Sequence, residues 1–201
     1  MSAPAAEQTA AAGQDFRRRL LDGLASSIEE RGYRDTTVAD IVRHARTSKR
    51  TFYDHFATKE QCFFDLLTAN NEELVGTLRN AVDPGAPWQE QVRQAVAAYV
   101  GTIEATPAIT LSWIRELPAL GAAARPLMRR SSGRIAEAII ELSAGPGFAR
   151  AGLRPLSSTA AVILVGGLRE LTAQTVEDGA PPAGMIESAV SVATALLAGR
   201  C

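Results

Sequence analysis

The sequence predicts an all-α protein, and three observations carry that prediction. Apolar residues recur every three or four positions through most of the chain, the spacing of one helix face. Alanine is abundant and aromatics make up only 5% of residues, while the long alternating β-branched runs that mark strands are missing. Glycine and proline fall mainly between the helical patterns. At 201 residues and 46% hydrophobic content, the chain can fill one large or two small cores. No apolar run approaches the ~18 to 20 residues of a membrane span. Residues 1–13 lack the basic start and apolar centre of a signal peptide and read as a flexible tail on a cytoplasmic protein.

The first helix is expected from Gln14 to Arg31, with Phe16, Leu20, Leu24 and Ile28 on one face and Gly32 just past its end. Arg17, Arg18 and Arg19 stand among Asp15, Asp22, Glu29 and Glu30 and read as a solvated face. Two short helical patterns follow. Thr37 and Asp40 form a capping-box signature ahead of Val38, Ile41, Val42 and Ala45. After a break at Arg46 to Ser48, a helix from Lys49 to His55 puts Phe52 and Phe56 inside and Lys49, Arg50, Thr51, Tyr53 and His55 largely outside. The pair reads as a helix-turn-helix.

Charge points the same way. Between Arg43 and Lys59 the chain carries Arg43, Arg46, Lys49, Arg50 and Lys59 against the single acid Asp54, although its net charge is only −1. A local cationic surface of this kind suits a phosphate backbone, where neutralisation releases counterions. A charge run is ordinarily a solvated face. Here Thr51, Tyr53 and His55, interleaved on a helix with two aromatic anchors, favour nucleic acid.

Thr58 and Gln61 form another capping signature and open a connector helix, Lys59 to Val82, whose Phe63, Leu66 and Leu67 pack beside the preceding helices. Asp83 to Pro87 is a proline and glycine break. Beyond it lie a face of Trp88, Val92, Val96, Tyr99 and Ile103, a shorter helix from Pro107 to Leu117, and another from Pro126 to Leu142. Ala144 to Pro155 reads as a loop, and its glycines lack the spacing and preceding strand of a phosphate-binding fingerprint. The last two helices span 156–177 and 182–197. The first is apolar nearly all round, so it needs partners on every side, and a second copy of the chain is expected as one of them. About nine helices result in all.

Chemistry is sparse outside the helix-turn-helix. Cys62 and Cys201 are the only cysteines, and the only histidines are His44 and His55. A disulfide framework is thereby excluded, and a metal or redox site is disfavoured. There is no nucleophile elbow, ligand cluster or nucleotide loop, so neither a cofactor nor catalysis is expected.

The stretch Gly32, Tyr33, Thr36 to Ile41, Thr51, Phe52, Tyr53, His55, Phe56, Lys59 and Glu60 resembles the TetR family of bacterial transcriptional regulators. The turn departs from the usual Ala-Gly-Val-Ser, reading Ala45, Arg46, Thr47, Ser48. Arg46 is therefore expected to take a left-handed conformation that glycine adopts freely, at a cost of about 1 kcal/mol. The resemblance implies a DNA-binding domain over 14–58. A ligand-binding and dimerisation domain over 59–201 would begin with the connector at 59–82. It also implies a homodimer through helices 156–177 and 182–197, presenting two recognition helices to a near-palindromic operator. Lys49, Arg50 and Thr51 are expected at base edges. Thr37, Tyr53, His55 and Lys59 are expected at phosphates, and Ser48 completes the DNA-contacting set.

The same resemblance implies a small-molecule effector that releases a repressor from DNA, and the many aliphatic side chains and few charges of the region favour an apolar or amphipathic one. Candidate lining residues are Tyr99, Ile103, Trp113, Glu116, Met128, Phe148, Arg169 and Thr172; plain core packing is the competing role for Tyr99 and Trp113. An activator of the same family, or a helical ligand-binding protein with degenerate DNA binding, is the alternative.

Overall fold

The computed structural model describes residues 3–199, with side chains from residue 13 onward. The described residues are helical and contain no strand. They divide into two compact units, Met1–Ala69 and Asn70–Cys201. The division falls inside the helix expected as the connector, eleven residues beyond the expected boundary at 58/59.

In the first unit α1 spans Ala3–Asp35, with Gly32 at φ 79° interrupting its helical geometry where the sequence places the helix end. Residues 3–13, expected as a flexible tail, are helical, and residues 1 and 2 lie outside the described residues. Leu20, Leu24 and Ile28 are buried as expected, but Phe16 is 36% exposed. Its ring instead meets the Arg19 guanidinium, 5.3 Å from the centroid. α1 packs against α2 (Val38–His44), which the turn joins to α3 (Lys49–His55). Phe52 of α3 and Phe56 just past its end are fully enclosed, as is Phe63 on α4 (Lys59–Ala81). Cys62 is buried beside Phe63, and burial pushes its thiol up to about 12. Such a thiol carries no thiolate at neutral pH and is inert. Cys201 lies outside the described residues.

The second unit contains α5 (Trp88–Ala105), α6 (Pro107–Leu111), α7 (Leu117–Ala119), α8 (Arg125–Ser143), α9 (Pro146–Arg150), α10 (Ser158–Glu177) and α11 (Ile186–Ala198). The single helix expected from Pro107 to Leu117 is interrupted by a π turn at Ser112–Glu116, in which Leu117 N donates to Ser112 O. The stretch expected as a plain loop, 144–155, contains α9. Val92, Val96, Val100 and Ile103 of α5 form the core with Ala161 and Leu164 of α10 and Ala189, Ala193 and Leu197 of α11.

Polar side chains fasten the connections. Buried Gln91 donates through Nε2 to Ala86 O at 2.9 Å, and Gly147 lies so close that a Cβ there would meet this amide. Buried Ser143 accepts from Leu156 N at 2.9 Å while donating to Ile140 O at 2.8 Å, so one hydroxyl fixes both ends of the 144–155 segment. Replacing Ser143 with Ala strands a buried amide, which costs about 1 to 3 kcal/mol. Urea unfolding of Ser143→Ala is expected to show that loss, and unchanged stability would mean that the Leu156 amide finds another acceptor.

Candidate nucleic-acid interface

The turn between α2 and α3 is built by caps at each end. Thr37 opens α2: its Oγ1 accepts from Asp40 N at 3.3 Å, while Asp40 Oδ2 accepts from Thr37 N and Thr37 Oγ1 at 3.0 and 2.6 Å. Those bonds hold the Asp40 carboxyl down to about 2. Ser48 opens α3, with Oγ accepting from Thr51 N at 3.1 Å and lying 3.0 Å from Thr51 Oγ1. Arg46 takes φ 50°, the only left-handed non-glycine residue among those described. The conformation expected of it is therefore present, and Arg19 braces it. From α1, Arg19 NH2 donates to Ala45 O at 2.7 Å and Arg46 O at 3.0 Å, satisfying carbonyls that the end of α2 leaves over.

α2 also lies unusually close to α1. A Cβ on Gly23 would stand 2.6 Å from Ile41 O and 3.0 Å from Ala45 N, both backbone atoms. A glycine in mid-helix costs about 1 kcal/mol relative to alanine. Its place on the stripe between Leu20 and Ser27 is the sequence signal for this approach.

Several cations counted toward a phosphate-binding surface have partners inside the unit. Glu30 accepts from Arg31 at 2.8 Å, Arg43 at 3.1 Å and His44 at 2.9 Å. These bonds hold its carboxyl at about 2. Arg17 pairs with Asp65, and its guanidinium stacks 4.7 Å from the Phe56 centroid. Arg18 pairs with Asp15 at 3.1 Å. The arginines read as a solvated face are thus mainly braces.

Lys59 requires a correction of the same kind. Its ammonium, expected at phosphate, donates to Tyr33 O at 3.0 Å and Thr36 O at 2.8 Å, with Arg34 O at 3.5 Å. It also lies 4.3 Å from the Tyr33 ring, and that ring stacks on Phe63 at 3.9 Å. Burial lowers its pKa. Thr37 is restricted similarly, because Asp40 takes both its hydroxyl proton and its amide.

The remaining candidates converge on the outer side of α3. Lys49 and Arg50 are exposed, and with Arg46 they have no ion-pair partner among the described residues. Thr51 and His55 are half-buried. Tyr53 is 58% exposed, its ring edge-on to Phe52 at 5.4 Å.

The expected effector-lining residues are only partly gathered. Tyr99 OH lies 2.8 Å from the Oγ1 of buried Thr172, joining α5 to α10 inside the apolar core beside Ile103. Burial raises the Tyr99 pKa. Arg169, one turn before Thr172, reaches Ile114 O at 3.4 Å. Trp113 and Glu116 are half-buried in the π turn, and Met128 is half-buried on α8. Phe148 is elsewhere, packed on Trp88 with centroids 6.0 Å apart. Trp88 and Tyr99 are separated by about 16 Å of helix, so Phe148 leaves the set.

Two measurements test this geometry. Gly23→Ala adds a better helix former, yet the forced separation of α1 and α2 is expected to cost about 1 to 3 kcal/mol. A net gain in a denaturant titration would contradict the close approach. The Glu30 carboxyl is depressed in the folded chain, so its contribution is full above the unfolded value near 4.5 and is lost as pH falls toward about 2. The stability difference between wild type and Glu30→Gln is therefore expected at pH 6 and should vanish across that window. A difference that persists at pH 2 would assign it to something other than ionisation.

Comparison with known proteins agrees with this architecture. The family model described as "Bacterial regulatory proteins, tetR family" matches residues 20–66. The HTH-type transcriptional repressor KstR2 of Rhodococcus jostii (strain RHA1) is 33% identical over 107 residues, covering 53% of this chain and 52% of that protein. This chain spans about half or less of the length of the curated relatives it matches. Among solved structures, the fatty acid degradation regulator FadR from Bacillus halodurans superposes with a TM-score of 0.75 at 18% identity, over 92% of this chain and 96% of that one. FadR from Bacillus subtilis, solved in complex with stearoyl-CoA, gives 0.73 at 14% identity, over 92% and 99%. At these identities the structural likeness is one of fold. Residues 20–66 are thus similar in sequence to the tetR family of bacterial regulatory proteins, and the helical architecture is similar in fold to FadR.

Proposed function

We propose that this protein is a homodimeric transcriptional repressor that binds a near-palindromic operator through α3 and is released by a small-molecule effector. The observation that carries the reading is the pair Lys49 and Arg50. Both are exposed and unpaired at the start of a helix fixed by the Ser48 cap and by buried Phe52 and Phe56. In this reading they contact base edges with Thr51, since arginine or lysine to guanine is the commonest specific pairing. Tyr53 and His55 contact phosphate, Ser48 lies beside them, and the backbone at Thr37 and Lys59 takes the place of their engaged side chains.

Dimerisation is supported by an apolar surface on the last two helices. Val162 and Ile163 of α10 are each 60% exposed and Val192 of α11 is 56% exposed. Gly166 and Gly167 beside them are open enough for a second helix to approach closely. A two-fold pairing through α10 and α11 presents two α3 helices to successive major grooves, about 34 Å apart.

The effector is an apolar or amphipathic molecule, a class to which the stearoyl-CoA bound by Bacillus subtilis FadR also belongs. Tyr99 and Thr172, a polar pair in an apolar setting, supply the orienting hydrogen bonds, and Arg169 supplies a charge. Effector binding favours a state in which α4 holds the two α3 helices at a spacing wrong for the operator. By linkage, operator DNA then weakens effector binding by the same factor.

Selection of the purified protein on a random duplex pool is expected to enrich a palindrome. Failure to enrich any sequence at low salt would refute the reading. On the selected site, Arg50→Ala is expected to weaken binding by about 1 to 3 kcal/mol and to relax preference at one symmetric position. An equal loss on all sequences would make Arg50 a phosphate contact instead.

A further inference from the structure

Residues 117–136 contain four arginines and no acid, and three of the four line one groove. Arg125, Arg129 and Arg130 border it with Ala122 and Pro126, around a volume of about 680 Å³. All three are exposed, and among the described residues none has an ion-pair or hydrogen-bond partner. Several other arginines of this unit are engaged. Arg79 pairs with Glu141 at 2.6 Å, Arg93 with Glu187 at 2.5 Å, and Arg115 with both Glu170 and Glu177. Arg150 donates to Gly85 O at 2.9 Å.

Three like charges within two helical turns repel one another, and the first turn of α8 holds no acid to offset them. An anion bridging them removes that cost. Guanidinium groups pair with phosphate oxygens through two parallel hydrogen bonds, so three of them exceed the needs of one phosphate group. The volume also exceeds a lone phosphate and falls in the range of small-molecule sites. Ala122, Pro126 and the arginine stems give it apolar walls.

We propose that this groove binds a small molecule through a diphosphate group held by Arg125, Arg129 and Arg130. Neither Tyr99 nor Thr172 lines this groove, and the proposal goes beyond the effector reading given above. Its position gives it a route to α4. Ser131, next to Arg130, accepts through its carbonyl from Asn71 Nδ2 of α4 at 3.5 Å, and Arg79 of α4 pairs with Glu141 further along α8. Within this unit, α8 is therefore both the wall of the groove and a support of α4.

The test is calorimetric titration of the full chain with ADP and, separately, with inorganic pyrophosphate, so operator binding enters neither arm. Saturable binding is expected, weakened about tenfold or more in the double variant Arg125→Gln and Arg129→Gln. Arg154→Gln, an exposed arginine outside the groove, should bind as wild type does. Tighter binding of ADP would assign a diphosphate carried on an organic body, and equal binding would assign a free polyanion; either upholds the site. Absence of saturable binding of both probes to the wild type would overturn it. So would binding left unchanged in a double variant whose circular dichroism matches wild type.

Discussion

Helices that end inside a small unit leave backbone carbonyls without partners, and the first unit solves this with cations. Lys59 caps the corner between α1 and α2 through Tyr33 O and Thr36 O. Arg19 caps the end of α2 through Ala45 O and Arg46 O. All four bonds are charge-assisted, and three of them, those to Tyr33 O, Thr36 O and Ala45 O, are partly shielded from water, where such bonds are strongest. They fix where α4 begins and where α3 departs from α2. Tyr33, clamped between the Lys59 ammonium and the Phe63 ring, shows how polar and aromatic contacts share that task. The left-handed Arg46 is tolerable because its own carbonyl is one of those Arg19 receives.

The second unit is organised differently. Its core is aliphatic, drawn from α5, α10 and α11, and its polar contacts sit at connections or join helices in pairs. Arg115 leaves the π turn to meet Glu170 and Glu177 on α10, and those bonds pull both carboxyls below the usual range. Each of these side chains is substantially exposed, so the network sets position more than it adds stability. The π turn, one residue wider than an α turn, aims Arg115 at α10.

Most of the fold was legible from local signals. The capping residues Thr37 and Thr58, the prolines at 107 and 126, and the aliphatic spacing on α5 each act within a few residues of the structure they specify. What stayed hidden depends on distant partners. Nothing around Lys59 announces that its ammonium meets carbonyls 23 to 26 positions earlier, or that Asp65 claims Arg17 from 48 positions away. Counting charges between Arg43 and Lys59 therefore overstated the free cationic surface. Conversely, Arg46 was legible because one missing glycine in a turn has a single backbone consequence. The π turn and α9 escaped because their sequences carry no periodicity different from an ordinary helix or loop.

In the proposed DNA-binding role, a reading unit that commits Arg17, Arg19, Arg43 and Lys59 internally keeps few charges for nucleic acid of arbitrary sequence. On that proposal its general adhesion to the chromosome would be weak, which favours travel between sites through bulk solvent over sliding. Fewer molecules would then be sequestered at the vast excess of wrong sites, and occupancy of the right one would depend on a handful of contacts at α3 and on the proposed pairing of two such helices.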